Sequence, residues 1–198
     1  MILSNKDKRI YIEADINNTR EVKGKNMYLE YLKGNIRAFA KYKFIILLRN
    51  LEYYTNTKDN NIFHKLLYLC YKHRFERYQI KTQIFIHPNV CSKGLNIEHP
   101  GFIWVDNSSV IGKNCTILPR VLLGKKKPDI VAPCIFIGDN CYIGTGATIL
   151  GPVKIGNNVV IAAGSVVIHD VPDNCMVAGN PAIVKKKINI KDIYDYRL

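Results

Sequence analysis

A bulky aliphatic residue recurs at every sixth position in the second half of this chain, and that period constrains the fold more than any other feature. Val105, Ile111, Ile117 and Leu123 keep the step, and Ile137, Ile143, Ile149, Ile155, Ile161 and Val167 resume it. A helix repeats its apolar face near 3.6 residues and a strand alternates with period two, so neither alone demands this spacing. The fifth place of each hexad is small or β-branched: Ser109, Cys115, Val121, Cys141, Ala147, Val153, Val159, Ser165 and Val171. Glycine often follows the lead residue, at Gly112, Gly138, Gly144 and Gly156. These features describe a triangular coil in which each hexad makes one short face and one corner. The lead residue stacks inward on its counterpart one coil along, and the fifth fills what remains of a narrow prism. Glycine is expected to ease the backbone at the corner. No coil buries its own interior, so several must stack. On this reading Cys115 and Cys141 are small core residues.

Before Lys81 the pattern is different. One apolar stripe runs through Ile36, Phe39, Ala40, Phe44, Leu47, Leu48 and Leu51, and a looser one through Ile62, Phe63, Leu66, Leu67, Cys70 and Phe75. Helical spacing predicts two helices, Tyr28 to Tyr54 and Asn61 to Tyr78, with Gly34 weakening the first. The chain thus divides into a helical region (1–81), a coil (82–184) and a basic tail (185–198). One segment, Gly124 to Cys134, fits no hexad, and a loop leaving a regular solenoid is where function concentrates.

Composition narrows the function classes. The chain has 198 residues, 47% of them hydrophobic, and a formal net charge of +13. Such charge attracts anions: a polyphosphate cofactor, an anionic membrane surface or nucleic acid. No recognised nucleic-acid-reading motif is present, so nucleic acid is not an expected partner, although a scaffold or nucleic-acid binder is kept as the non-enzymatic alternative. No apolar run is long enough to span a bilayer. Residues 1–9 do not read as a secretory signal, and none of the six cysteines forms a C-x-x-C pair. A reducing cytoplasm is the expectation.

The isoleucine-led hexads, with Val177-Ala178-Gly179-Asn180-Pro181-Ala182 at their end, resemble the hexapeptide-repeat acyltransferases. Gly94-Leu95-Asn96-Ile97-Glu98-His99-Pro100-Gly101 is similar to the catalytic-histidine segment of serine acetyltransferases and of their relatives in surface-polysaccharide clusters. The helical region with Tyr11 to Asp15 looks closest to the second group. The resemblance implies a left-handed parallel β-helix, a fold mainly of β-structure with N-terminal helices. It also implies acetyl-CoA as co-substrate without a metal, and a homotrimer. The acceptor is expected to be a sugar or surface-polysaccharide hydroxyl, with serine the alternative.

Acetyl transfer to a hydroxyl needs a base, and His99 is the natural one, since neutral imidazole accepts a proton near physiological pH. Glu98 beside it, Asp106 or a backbone carbonyl is expected to orient it. The aspartate that serine acetyltransferases carry before their I-H-P segment corresponds here to Phe85, and a loop histidine to Lys127. Those departures argue for a sugar. The terminal Tyr196-Arg197-Leu198 lacks the isoleucine of the family's docking tail, so no cysteine synthase complex is expected. Family-like cofactor contacts are Gly124, Thr145, Gly146, Ala163, Gly164, Asn180 and Pro181, with Lys185 and Lys186 toward the phosphates. Trp104, Lys127 and Asp129 are expected at the acceptor. Trp104 lies where the coil register slips and is read as projecting outward to stack on a sugar ring, or else as capping the solenoid or filling a trimer interface.

Overall fold

Three flat parallel sheets, each crossed once per turn, form a triangular prism. The computed structural model describes residues 1–19 and 24–189. Face A holds β1 (Ile84–Ile86), β3 (Ile103–Val105), β6 (Leu122–Lys125), β9 (Thr148–Gly151) and β12 (Val166–Val167). Face B holds β4 (Ser109–Ile111), β7 (Ile135–Ile137) and β10 (Val153–Ile155), extended at its two ends by single bridges from Cys91 and Val171. Face C holds β2 (Asn96–Ile97), β5 (Thr116–Ile117), β8 (Tyr142–Ile143), β11 (Val160–Ile161) and β13 (Cys175–Gly179). A last strand, β14 (Ala182–Lys187), turns back antiparallel on β13.

The hexad rule decides what lies inside. Ile97, Ile117, Ile143, Ile161 and Val177 stand in one register across face C, and all are buried. Each such side chain removed from water stabilises the fold by roughly 1.5–3 kcal/mol before entropy is counted. The fifth-place residues from Ser109 to Val171 are buried as well. Cys115 and Cys141 are free thiols of this inner column. The glycines differ from expectation in their reason. Gly138 does not take a left-handed φ; a Cβ there would lie 2.7 Å from backbone atoms of Gly156 in the next coil. Close coil-to-coil approach therefore demands glycine. On this corner the left-handed φ belongs instead to Asn114, Asn140, Asn158 and Asn174, with values between 55° and 57°. Asparagine tolerates that region because its short amide bonds locally. Here the amides form a ladder along the corner at 3.2, 3.1 and 2.8 Å.

Four helices precede the coil: α1 (Asn5–Asn18), α2 (Met27–Leu32), α3 (Ile36–Thr57) and α4 (Ile62–Thr82). The single long helix expected from Tyr28 is broken at Gly34, whose φ of 86° ends α2. Helix α1 was not anticipated from apolar spacing; Ser4 and Asp7 start it with a reciprocal capping box. The stripe on α3 buries Phe44, Leu47, Leu48 and Leu51, but Ile36 is exposed. On α4 only Phe75 and Thr82 are buried, and Ile62, Phe63 and Leu66 face outward. The expected basic tail is also different at its start, because Lys185 to Lys187 form part of β14. Tyr196, Arg197 and Leu198 lie outside the described residues. Among those described, no helix is long and apolar enough to cross a membrane.

A fully buried ionic cluster locks the helices to the first coil. Arg49 bonds Asp15 at 2.7 Å and Glu52 at 2.7 Å, and donates to the carbonyls of Cys91 and Ser92. Asp15 in turn accepts from the Gly94 and Leu95 amides at 2.7 and 2.8 Å. Burial opposes the charge on Arg49, but Glu52 and Asp15 outweigh it and hold the guanidinium protonated. The motif segment that begins at Gly94 is thereby pinned from α1 and α3 together.

Candidate active site

The corner between faces C and A gathers most of the expected site. Two residues beyond the Ile97–Ile117–Ile143–Ile161–Val177 register line come His99, Pro119, Thr145, Ala163 and Gly179. Backbone bonds carry this alignment to the corner: Glu98 N–H to Ile117 O at 3.2 Å, Gly144 N–H to Ile161 O at 2.8 Å and Ala162 N–H to Val177 O at 2.9 Å. Past the bend, Gly146 N–H donates to Pro119 O at 3.0 Å and Gly164 N–H to Thr145 O at 2.9 Å. His99 thus heads a track of small residues about 19 Å long, given the ~4.8 Å strand spacing.

The track suits an extended ligand arm. Thr145, Ala163 and Gly164 are exposed. Gly146 and Gly164 take φ of 73° and 68°, and a Cβ added at Gly164 would meet nothing within 4 Å. Main-chain groups are therefore open to a neighbour that slides along the corner. At the far end Asn180 and Pro181 form the exposed tip joining β13 to β14, directly after Gly179. Those six residues, Thr145, Gly146, Ala163, Gly164, Asn180 and Pro181, are the group that could hold the pantetheine of acetyl-CoA.

Other expected contacts fall elsewhere. Gly124 pairs in register with Leu150, across face A from Thr145, so within one protomer it does not join the track. Lys185 and Lys186 run back along the free edge of face C, Lys186 opposite Met176 and so away from the corner. Both are exposed.

His99 is exposed, and Glu98 is half-buried. The Glu98 carboxylate accepts from Asn96 Nδ2 at 2.9 Å, and its described bonds do not include the His99 ring. Its carbonyl accepts from Lys41 Nζ at 2.9 Å. The sequence reading missed Lys41. Its signal was a charged residue in the stripe Ala38, Lys41, Ile45, Leu48, Glu52, which turns out to be the buried face of α3.

Asp106 is not placed to orient His99. It stands one coil above His87, at the far edge of face A. Burial works against its ionised form, but bonds from Ser108 and the charges of His87 and Lys125 hold its carboxyl below the usual range.

Between these two edges lies an aromatic shelf. Trp104 projects outward and is 39% exposed, and its ring packs against Phe85 with centroids 5.5 Å apart. Phe102 sits beside Phe85 at 6.4 Å. A shallow cavity of about 340 Å³ joins Trp104, Phe102 and Asp106 to Gly124 and to the loop at Lys125 and Pro128. Lys125 staples that loop by donating to Pro128 O and Ile130 O, and Lys126 donates to Ile168 O. Lys127 and Asp129 are exposed and do not line the cavity. Within one protomer the loop lies across face A from His99, so the structure does not bring Lys127 or Asp129 to the base.

Comparison with known proteins gives a consistent picture. Residues 135–169 match the family described as bacterial transferase hexapeptide (six repeats). Over 100 residues the chain is 41% identical to serine acetyltransferase 4 of Arabidopsis thaliana, covering 50% of this chain and 28% of that protein. Over 107 residues it is 35% identical to a serine acetyltransferase of Synechococcus elongatus, covering 54% of this chain and 44% of that protein. The chain thus spans less than half the length of these two relatives. The crystal structure of Neisseria gonorrhoeae serine acetyltransferase superposes with a TM-score of 0.71 at 28% identity, over 94% of this chain and 68% of that one. The repeat match and this superposition imply the left-handed β-helix with N-terminal helices.

Proposed function

We propose that this protein is an acetyl-CoA-dependent O-acetyltransferase in which His99 is the general base. The observation that carries the reading is the shared corner: the one histidine in the motif segment heads the same edge that exposes the backbone of Thr145, Gly146, Ala163 and Gly164. Acetyl-CoA supplies the acetyl group as an activated thioester. The acceptor hydroxyl loses its proton to a neutral ring nitrogen of His99 as its oxygen bonds to the acetyl carbon. The carbon–sulfur bond breaks, and the proton leaves with the thiol product. Lys41 and Asn96 fix the Glu98 backbone and side chain, which holds the adjacent His99 at the corner.

The names of the relatives favour L-serine as the acceptor over the sugar expected from the sequence. The aromatic shelf of Phe85, Phe102 and Trp104 supports the sugar as a second reading, since an exposed ring offers a flat face on which a sugar ring can stack. We further propose a homotrimer, with the Gly124 to Cys134 loop of one copy approaching His99 of the next. That arrangement would bring Lys127 and Asp129 to an acceptor they cannot reach within one protomer. A cytoplasmic location belongs to the same proposal. The test is an acceptor screen: acetyl-CoA is incubated with L-serine and, separately, with neutral and acidic sugars, and acetylated product is identified by mass spectrometry. Transfer to none of them, with coenzyme A bound or not, would remove the enzymatic reading.

A further inference from the structure

Helix α4 carries an apolar line on the side that faces water. Phe75 and Thr82 mark its buried side. Opposite them, in steps of three and four residues, run Ile62, Leu66, Leu69, His73, Arg77 and Ile80. The four aliphatic members, with Phe63 beside them, are 53% to 72% exposed. Cations border the line. Lys65 and Lys72 stand on one flank and Arg74 and Lys81 on the other, and all four are exposed, as is Arg77 within it. The helix holds a single acidic residue, Glu76, whose carboxylate lies 4.0 Å from Lys72. With that charge α4 does not cross a bilayer. At its C-terminal end Lys81 joins Arg37 and Lys43 in the wall of a cleft of about 660 Å³, none of whose described lining residues is acidic. Tyr31 and Ile36, in the same wall, are exposed.

An apolar line bordered by cations matches a surface whose interior is hydrocarbon and whose rim is negative. Isoleucine, leucine and phenylalanine enter the acyl boundary, while lysine and arginine keep their heads at the level of the phosphates. Binding then draws on buried apolar area and on charge together. A second copy fits this face less well: α4 seated on α4 sets five cations and one acid against the same five and one. Nucleic acid accounts for the cations and leaves the aliphatic line in water.

We propose that this face docks the protein on an anionic lipid bilayer, with Ile62, Phe63, Leu66 and Leu69 inserted and Arg74, Arg77 and Lys81 on the lipid phosphates. The cleft of Arg37, Lys43 and Lys81 receives one headgroup, where arginine offers a planar fork and the lysines add point charges. Docking of this kind is independent of acetyl transfer.

Co-sedimentation of the full chain with vesicles tests it, comparing phosphatidylcholine alone with phosphatidylcholine that contains phosphatidylserine. Affinity is expected to be at least about tenfold higher for the anionic vesicles and to fall as salt is raised, since each Lys or Arg held at an anionic leaflet strengthens binding by about fivefold. Arg74→Gln/Arg77→Gln lowers it by about 30-fold. Leu66→Ser/Leu69→Ser lowers it by about tenfold through lost insertion. Lys113→Gln/Lys154→Gln removes the same charge from exposed sites on the coil and leaves it unchanged. All six side chains are exposed, so the far-UV spectra of the variants match wild type. Equal binding to neutral and anionic vesicles overturns the proposal, as does binding to neither. So does an equal loss in the coil variant, which would reduce the effect to overall charge. Full binding in Leu66→Ser/Leu69→Ser would take the apolar line out of the contact and overturn it too. Light scattering without lipid covers another occupant: a smaller assembly in that variant than in wild type would make the face a contact between copies, against the proposal. Displacement from vesicles by duplex DNA at equal phosphate concentration would make nucleic acid the partner instead.

Discussion

Lys41, buried in α3, donates a 2.9 Å hydrogen bond to the carbonyl of Glu98, the residue before His99. A helix laid down some sixty residues earlier in the chain therefore fixes the backbone from which the base projects. A hydrogen bond involving a charged group contributes about 1.5–3 kcal/mol. Lys41→Met is predicted to lower stability by about that amount and to reduce kcat more than it raises KM for acetyl-CoA. Urea unfolding and steady-state kinetics on one preparation check both parts. An unchanged kcat would confine Lys41 to folding.

The Asp15–Arg49–Glu52 cluster is predicted to be the main tie between helices and coil. Arg49→Ala leaves two buried carboxylates without their cation, a change that typically costs about 3–5 kcal/mol. The unfolding midpoint in urea should fall accordingly. A loss below about 1 kcal/mol, the range of an exposed pair, would mean that the cluster is open to water.

Cysteine labelling tests the inner column of the prism. Cys70 is exposed, while Cys91, Cys115, Cys134, Cys141 and Cys175 are buried. Burial pushes the Cys91 thiol up to about 12, so it is protonated as well as inaccessible at pH 8. Iodoacetamide at that pH is predicted to modify Cys70 alone in the native protein and all six thiols after denaturation, as read by mass spectrometry. Rapid native labelling of Cys115 or Cys141 would contradict the hexad assignment.

Two glycines on the same corner should respond differently. A methyl at Gly144 would sit 2.7 Å from Ala163 N and 2.8 Å from Ile161 O, both backbone atoms of the next coil. Gly144→Ala is predicted to destabilise by about 1–3 kcal/mol through overpacking. At Gly164 the methyl meets open space, and only the left-handed φ costs, about 1–2 kcal/mol. Gly164→Ala should also raise KM for acetyl-CoA, because its methyl points into the track. Equal KM values for Gly164→Ala and wild type would move the cofactor off this edge.

The coil was legible in the sequence because a period of six has one structural solution, and its lead and fifth residues are buried as the spacing required. The helices were less legible. Ile62, Phe63 and Leu66 on α4 mimic a core stripe yet face outward, and periodicity cannot tell a buried face from an exposed apolar one. Helix α1 hid because its buried residue is Asp15, an acid that pattern reading counts as surface. Trp104 projects outward, one of the placements that the register slip before Val105 left open. Gly124 stands across face A from the track within one protomer, and spacing along the chain does not reveal which edge of a face a residue occupies.

That His99 takes the acceptor proton at the head of the cofactor track is the step on which the chemistry turns. It is tested most directly by measuring acetyl-CoA-dependent product formation, on whichever acceptor the screen identifies, for wild type and His99→Ala at saturating substrates. The predicted result is a fall in kcat of about 100-fold or more, with coenzyme A affinity and the far-UV spectrum unchanged. Turnover within a fewfold of wild type in the folded variant would contradict it.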